Sequence, residues 1–167
     1  MSASDAVSPL PSGAEIRTLS PDLAVSGQIS VADPAALALA GFRSVIACRP
    51  DHEDPGQPEA SEIGAAVEQA GLTFAHLPVI SGGTTEDDIA TFQTMMAQLP
   101  RPIFAYCRTG TRIAKMWAQG QAVIQSIDGL IAAAGQAGYN LEPLRADLKA
   151  RAAASAKVSA VPQARSA

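Results

Sequence analysis

Arg101-Pro102-Ile103-Phe104-Ala105-Tyr106-Cys107-Arg108-Thr109-Gly110-Thr111-Arg112-Ile113-Ala114-Lys115-Met116-Trp117 is the stretch that decides how the rest of this 167-residue chain is read. Its first part, Ile103 to Tyr106, is a short apolar and aromatic run with the character of a buried strand. Its last part repeats the apolar residues Ile113, Met116 and Trp117 at helical spacing. Cys107 therefore stands where a strand stops, within one turn of a helix start. Gly110 frees the turn from any Cβ, so successive backbone N–H groups can converge on one point. The helix start adds unpaired N–H groups and the positive end of its dipole. Arg112 adds a planar fork of donors suited to an oxyanion. The expected product is an anion cradle with a sulfur at its floor, lined by Arg108, Thr109, Gly110 and Thr111. A free thiol has a pKa of about 8.5, and such surroundings lower it to roughly 3.5–7.5, which makes Cys107 a candidate nucleophile.

Working outward, the flanking chain alternates strand and helix. Ile16–Leu19 and Leu23–Gly27 read as strands around the turn Ser20-Pro21-Asp22. Asp33 is expected to cap a helix that has Pro34 at its first position and stops at Gly41. Ser44–Cys48 is a continuous apolar run of the kind found in parallel sheets covered on both faces. The polar, proline-rich loop Arg49–Pro58 follows it. A helix over Glu59–Ala70 ends at Gly71, and Thr73–Leu77 reads as a strand in which His76 is expected to be a core histidine. A threonine cap and acids at Thr84–Asp88 open a helix lined by Ile89, Phe92, Met96 and Leu99. After the cysteine strand, helices are expected over 111–124, 127–137 and 141–155. This alternation predicts an α/β three-layer sandwich, a mostly parallel sheet of four or five strands with helices on both faces. Ligands bind such sheets at the carboxyl ends of the strands, where Cys107 lies.

The composition suits one soluble domain: 47% of residues are hydrophobic and the net charge is −4, which argues against a nucleic-acid surface. Residues 1–14 carry no basic start and no long apolar run, and no apolar stretch is long enough to span a membrane. The expected organisation is an N-terminal arm without order over 1–14, a catalytic domain over 15–150 and a flexible Ala-rich basic tail over 151–167. The two cysteines fit a reducing, cytoplasmic setting better than a disulfide scaffold. With two histidines and no ligand spacing, no metal or other cofactor is indicated.

Several landmarks together resemble the phosphatase-like domain of beta-lactamase-hydrolase-like proteins, a bacterial family also described as sulfur transferases. They are Ser26-Gly27-Gln28, Ala40-Gly41-Phe42, Arg49-Pro50-Asp51 with Glu53 and Pro55-Gly56-Gln57-Pro58, Leu77-Pro78-Val79, the loop Ala105–Arg112 and Ala137-Gly138-Tyr139. The resemblance runs from about Ile16 to Leu148. It implies a protein-tyrosine-phosphatase-like fold of the dual-specificity type, with Cys107 as nucleophile and Arg112 as oxyanion binder. Two departures bear on the chemistry. Four residues separate Cys107 from Arg112, the count of rhodanese-like sulfurtransferases, where tyrosine phosphatases have five. After Leu77-Pro78-Val79 the chain reads Ile80-Ser81-Gly82-Gly83, without the acid that dual-specificity phosphatases carry there. Ile113 also stands where related loops have a serine, leaving Thr109 or Thr111 to supply a hydroxyl.

The leading expectation is sulfur transfer through a Cys107 persulfide, from a small anionic sulfur donor to a small thiol acceptor. The alternative is hydrolysis of a phosphate ester through a phosphocysteine, with Asp51, His52, Glu53 or Asp54 as general acid. A third is a non-catalytic oxyanion-binding module. Cys48, at the end of a neighbouring strand, is a possible redox partner of Cys107.

Overall fold

The structure is a computed structural model, and it describes residues 9–159. Five strands form one sheet: β1 (Arg17–Ser20), β2 (Leu23–Ser26), β3 (Ser44–Ala47), β4 (Thr73–His76) and β5 (Ile103–Tyr106). Their spatial order is β1-β2-β5-β3-β4. Only the β1–β2 hairpin is antiparallel; β2–β5, β5–β3 and β3–β4 run parallel. The expected α/β sandwich is what the chain forms.

Alternation along β5 shows how the layers are built. Ile103, Ala105 and Cys107 face one core, and Phe104 and Tyr106 face the other. The first core is covered by α3 (Glu86–Gln98), α4 (Thr111–Gln121), α5 (Ile127–Gln136) and α6 (Arg145–Ser159), through Phe92, Met116, Leu130 and Leu148 among others. The second is covered by α1 (Asp33–Leu39) and α2 (Ala60–Gln69), through Leu37, Ile63 and Val67. A strand covered on both faces must be apolar at every position, and all four residues of β5 are buried.

The local signals hold where they are local. Thr85 and Asp88 make a reciprocal capping box on α3, and Ser126 caps α5 by accepting from the N–H of Gly129. Asp33 behaves differently from expectation. Ala32 is the N-cap of α1, and Asp33, fully buried, accepts instead from the N–H groups of Ser30 and Ser12 at 2.8 and 2.9 Å. His76 is also corrected. It is exposed, because β4 is the edge strand of the sheet, and its ring lies 3.4 Å from the carbonyl of Arg49.

The last helical region begins as a 3-10 turn over Glu142–Leu144, carrying Pro143, before α6 takes over. This helix continues past residue 150, with Arg151 paired to Glu86 and Asp147. At the other end Leu10 is already buried in the second core. The expected disorder of residues 1–8 and 160–167 lies outside the described residues. Among the described residues no helix is long and apolar enough to cross a membrane.

Candidate active site

Cys107 is the first residue beyond β5, the central strand, so its position is set by ladders on both sides. Its own N–H donates to the carbonyl of Ser26 at 3.3 Å, and the N–H of Cys48 on the other side donates to the carbonyl of Tyr106 at 2.8 Å. The loop then turns back over the sulfur, and the N–H of Gly110 points at Sγ from 3.1 Å. Gly110 has φ +90°, and it is the N-cap of α4. A Cβ there would lie 2.1 Å from the hydroxyl oxygen of Tyr139. Both the backbone angle and the space therefore require glycine.

Tyr139 is the clamp on this turn. Its hydroxyl donates to the carbonyl of Thr109 at 3.0 Å, and burial pushes its pKa up to about 12, keeping it a neutral donor. The opposite wall is Gly27, whose missing Cβ would stand 2.8 Å from the carbonyl oxygen of Arg108. Thr109 and Thr111 do not take the place of the family's serine. The Thr109 hydroxyl donates to that of Thr111 at 3.0 Å and accepts from the Thr111 N–H at 3.4 Å, so the two hydroxyls serve the loop. Ile113 is fully buried in the first core.

Arg112 reaches from the first turn of α4 toward the strand edge. One guanidinium nitrogen donates to the carbonyl of Val79 at 2.7 Å, and the pair grips both carboxylate oxygens of Glu53 at 3.1 and 3.2 Å. Glu53 is shared: Arg49, itself 4% exposed, donates to it at 2.8 Å and to Gln28 at 3.1 Å, and also pairs with Asp54. Burial works to raise the Glu53 carboxyl, but hydrogen bonds from Arg49 and then Arg112 outweigh it and hold the group below the usual carboxylate range. Asp54 also pairs with Arg108 at 3.3 Å on the rim.

The cavity over Cys107 has a volume of about 470 Å³. Ser81, Gly82 and Thr84 form one wall, and the loop from Cys107 to Arg112 with Lys115 forms the rest. No carboxylate is among these lining residues. Asp51 is not among them: its carboxylate accepts from the N–H of Ala60 at 2.8 Å, at the start of α2. The structure thus gathers Cys107, Arg108, Thr109, Gly110, Thr111 and Arg112 into one site and gives the arginine-facing place to Glu53, not to Asp51.

In the sequence Glu53 stands out as a candidate acid and as a landmark of the resemblance, Tyr139 only as part of the landmark Ala137-Gly138-Tyr139, and Lys115 not at all. Lys115 was legible there, since it follows Arg112 by three residues and so shares its helix face. Tyr139 gave no such signal, because it meets the loop only through the packing of α5.

A sheet of this topology whose central strand ends in a cysteine-and-arginine loop defines the class of phosphatase-like α/β proteins built around a cysteine. Within that class the chain belongs to the family described as beta-lactamase hydrolase-like protein, phosphatase-like domain, whose model matches residues 15–124. A beta-lactamase hydrolase-like protein from Agrobacterium fabrum is 40% identical over 101 residues, covering 60% of this chain and 23% of that protein. The chain thus spans less than a quarter of the length of that curated relative. A crystal structure of a proposed phosphatase from Neisseria meningitidis is 37% identical, with a TM-score of 0.74 over 81% of this chain and 97% of that one. Kinase associated phosphatase, crystallised with its catalytic cysteine replaced by serine, shares the fold at 14% identity and a TM-score of 0.61, over 92% of this chain and 98% of that one.

Proposed function

We propose that this domain is a sulfurtransferase in which Cys107 carries the transferred sulfur. The observation that carries the reading is the cavity lining: cations and hydroxyls surround Cys107 with no carboxylate among them. A nucleophile in such a site suits substrates whose leaving group departs as a stable anion. With thiosulfate, the Cys107 thiolate attacks the outer sulfur, the S–S bond breaks, sulfite leaves with the electron pair, and Cys107 holds a persulfide. A small thiolate then attacks the outer persulfide sulfur and restores the Cys107 thiolate. The N–H of Gly110, 3.1 Å from Sγ, steadies the anionic sulfur through both steps. Arg112 and Lys115 hold the anionic part of the donor. Among the described residues Lys115 has no ion-pair partner, so its charge is available to a substrate.

Phosphate-ester hydrolysis is the second reading, favoured by the phosphatase fold and by the relatives that carry the name. It needs an acid for an alkoxide or phenoxide leaving group, typically worth about 100-fold or more. Glu53 and Asp54 are the nearest carboxylates by connectivity, and both are engaged by arginines.

Steady-state assays with wild type and Cys107→Ser distinguish the two. Sulfur transfer from thiosulfate or glutathione persulfide to a thiol, lost in Cys107→Ser, supports the proposal. Aryl phosphate turnover that is lost in Cys107→Ser, with no sulfur transfer from any donor, replaces it with the second reading.

A further inference from the structure

Among the described residues, Lys115 is the cation of the cavity wall that no carboxylate engages. On α4, Ile113, Ala114, Met116 and Trp117 are buried in the first core, and Lys115 stands exposed among them, lining the cavity. It follows Arg112 by three residues and Thr111 by four, so the three share one helix face.

The other two cations of the wall are already answered. Arg112, at 8% side-chain exposure, meets both oxygens of Glu53, a carboxyl held below its usual range by the arginines around it. Arg108 pairs with Asp54 at 3.3 Å, and Arg49 pairs with both acids. These three arginines, the two carboxylates and the thiolate of Cys107 together carry no net charge, and Lys115 is what remains. The acids at the start of α3 leave it free as well, since Glu86 pairs with Arg151 and Asp88 closes the cap on Thr85. An incoming anion therefore gains little at a distance from the balanced group, and Lys115 supplies the attraction. One uncompensated charge at the mouth of a cavity, partly screened by water, is worth about a tenfold gain in rate.

We propose that Lys115 is the specificity-determining residue of this site: it makes Cys107 select reagents whose negative charge lies beside the reacting atom, and among sulfur donors it favours the dianion thiosulfate over a monoanionic thiosulfonate. The donor half of the proposal rests on the sulfur-transfer reading; the preference for anions does not. In thiosulfate the sulfonate oxygens stand one S–S bond from the sulfur that is attacked, so the charge that Lys115 reads travels with the reacting atom.

The test uses two pairs of reagents, each differing by one charge, on the full chain. Iodoacetate and iodoacetamide alkylate Cys107 by the same step, attack of the thiolate on the methylene carbon with loss of iodide, so their rate ratio cancels any change in the amount of thiolate. Arg49 and Arg101 both precede proline and no basic residue lies between them, so cleavage at glutamate is needed to separate Cys107 from Cys48 and assign the label. At low salt the iodoacetate-to-iodoacetamide ratio is expected to exceed that of free cysteine. Lys115→Met should lower it about tenfold, Lys115→Arg should keep it, and about 1 M salt should bring wild type to the Lys115→Met value. Lys149→Met, which takes the same charge from an exposed position of α6 outside the cavity, should leave it unchanged. In the second pair, Lys115→Met should cut kcat/KM for thiosulfate by about tenfold more than for methanethiosulfonate. Equal alkylation ratios in wild type and Lys115→Met, or the same fall in Lys149→Met, would overturn the proposal even where sulfur transfer is found. Sulfur transfer with an unaltered donor preference in Lys115→Met would overturn its donor half. A ratio that depends on Lys115 with turnover of neither donor would overturn the sulfur-transfer reading and leave the anion selection standing.

Discussion

Gly110 and Tyr139 meet at a distance that leaves no room for a methyl group, and that meeting shapes the loop under the reactive sulfur. Gly110→Ala places a Cβ 2.1 Å from the Tyr139 oxygen on a residue with φ +90°. Strain of about 1–3 kcal/mol is expected from the backbone alone, and the displaced loop should abolish turnover. Tyr139→Phe removes the closest contact, leaving the ring carbon Cζ 2.9 Å from that Cβ, and takes the donor from the Thr109 carbonyl, so on its own it should cost about 1 kcal/mol in chemical denaturation. The double variant should recover stability relative to Gly110→Ala, and additive losses would show that the contact is not what constrains the loop.

Glu53 links stability to pH. Its pKa lies below the ordinary value of 4.5 in the folded protein, so the unfolded chain binds its proton more tightly. The stabilisation is complete above about pH 4.5 and is lost as pH falls through the lower folded value. Glu53→Gln should lower the melting temperature by a constant amount at neutral pH, and the gap should narrow below about pH 4.5. Full removal in Glu53→Ala leaves Arg112, at 8% side-chain exposure, without its carboxylate and leaves Arg49, at 4%, with Asp54 alone, and should cost about 3 kcal/mol.

At the scale of elements, α6 shows how far the packed core reaches beyond the cysteine loop. Leu148 is fully buried in the first core, and Arg151 ties α6 to Glu86 at the start of α3. Leu148→Ala should therefore cost about 2–5 kcal/mol, while Arg151→Ala should lower the melting temperature only slightly and less so at high salt. Destabilisation by Arg151→Ala equal to that of Leu148→Ala would mean that the ion pairs, not the apolar face, dock the helix. The same scale explains what the sequence made legible. The strand–cysteine–glycine–helix run is readable because each of its signals is local: an apolar run, a turn residue, a helical period. The capping boxes are legible for the same reason. The exposure of His76 is not legible, because four apolar and polar residues in a row cannot say whether their strand lies at the edge of the sheet. The role of Asp33 is not legible either, because its partner Ser12 lies 21 residues away. Glu53 and Arg112, 59 residues apart, meet only because β3 and β5 are neighbours, and strand order is a property of the whole sheet.

At the scale of the whole molecule, the sheet brings the carboxyl ends of β2, β5 and β3 to one edge, and with them Gly27, Cys107 and Cys48. The family's phosphatase-like fold supplies the frame, and the four-residue loop with its carboxylate-free cavity is what the proposed sulfur chemistry rests on. The account stands most directly on the fate of one atom. After incubation with thiosulfate carrying an isotopically labelled outer sulfur, peptide mass spectrometry should find that label on Cys107 alone, removable by a small thiol and absent from Cys107→Ser. A protein that takes up no labelled sulfur, or that holds it equally well in Cys107→Ser, would contradict the account.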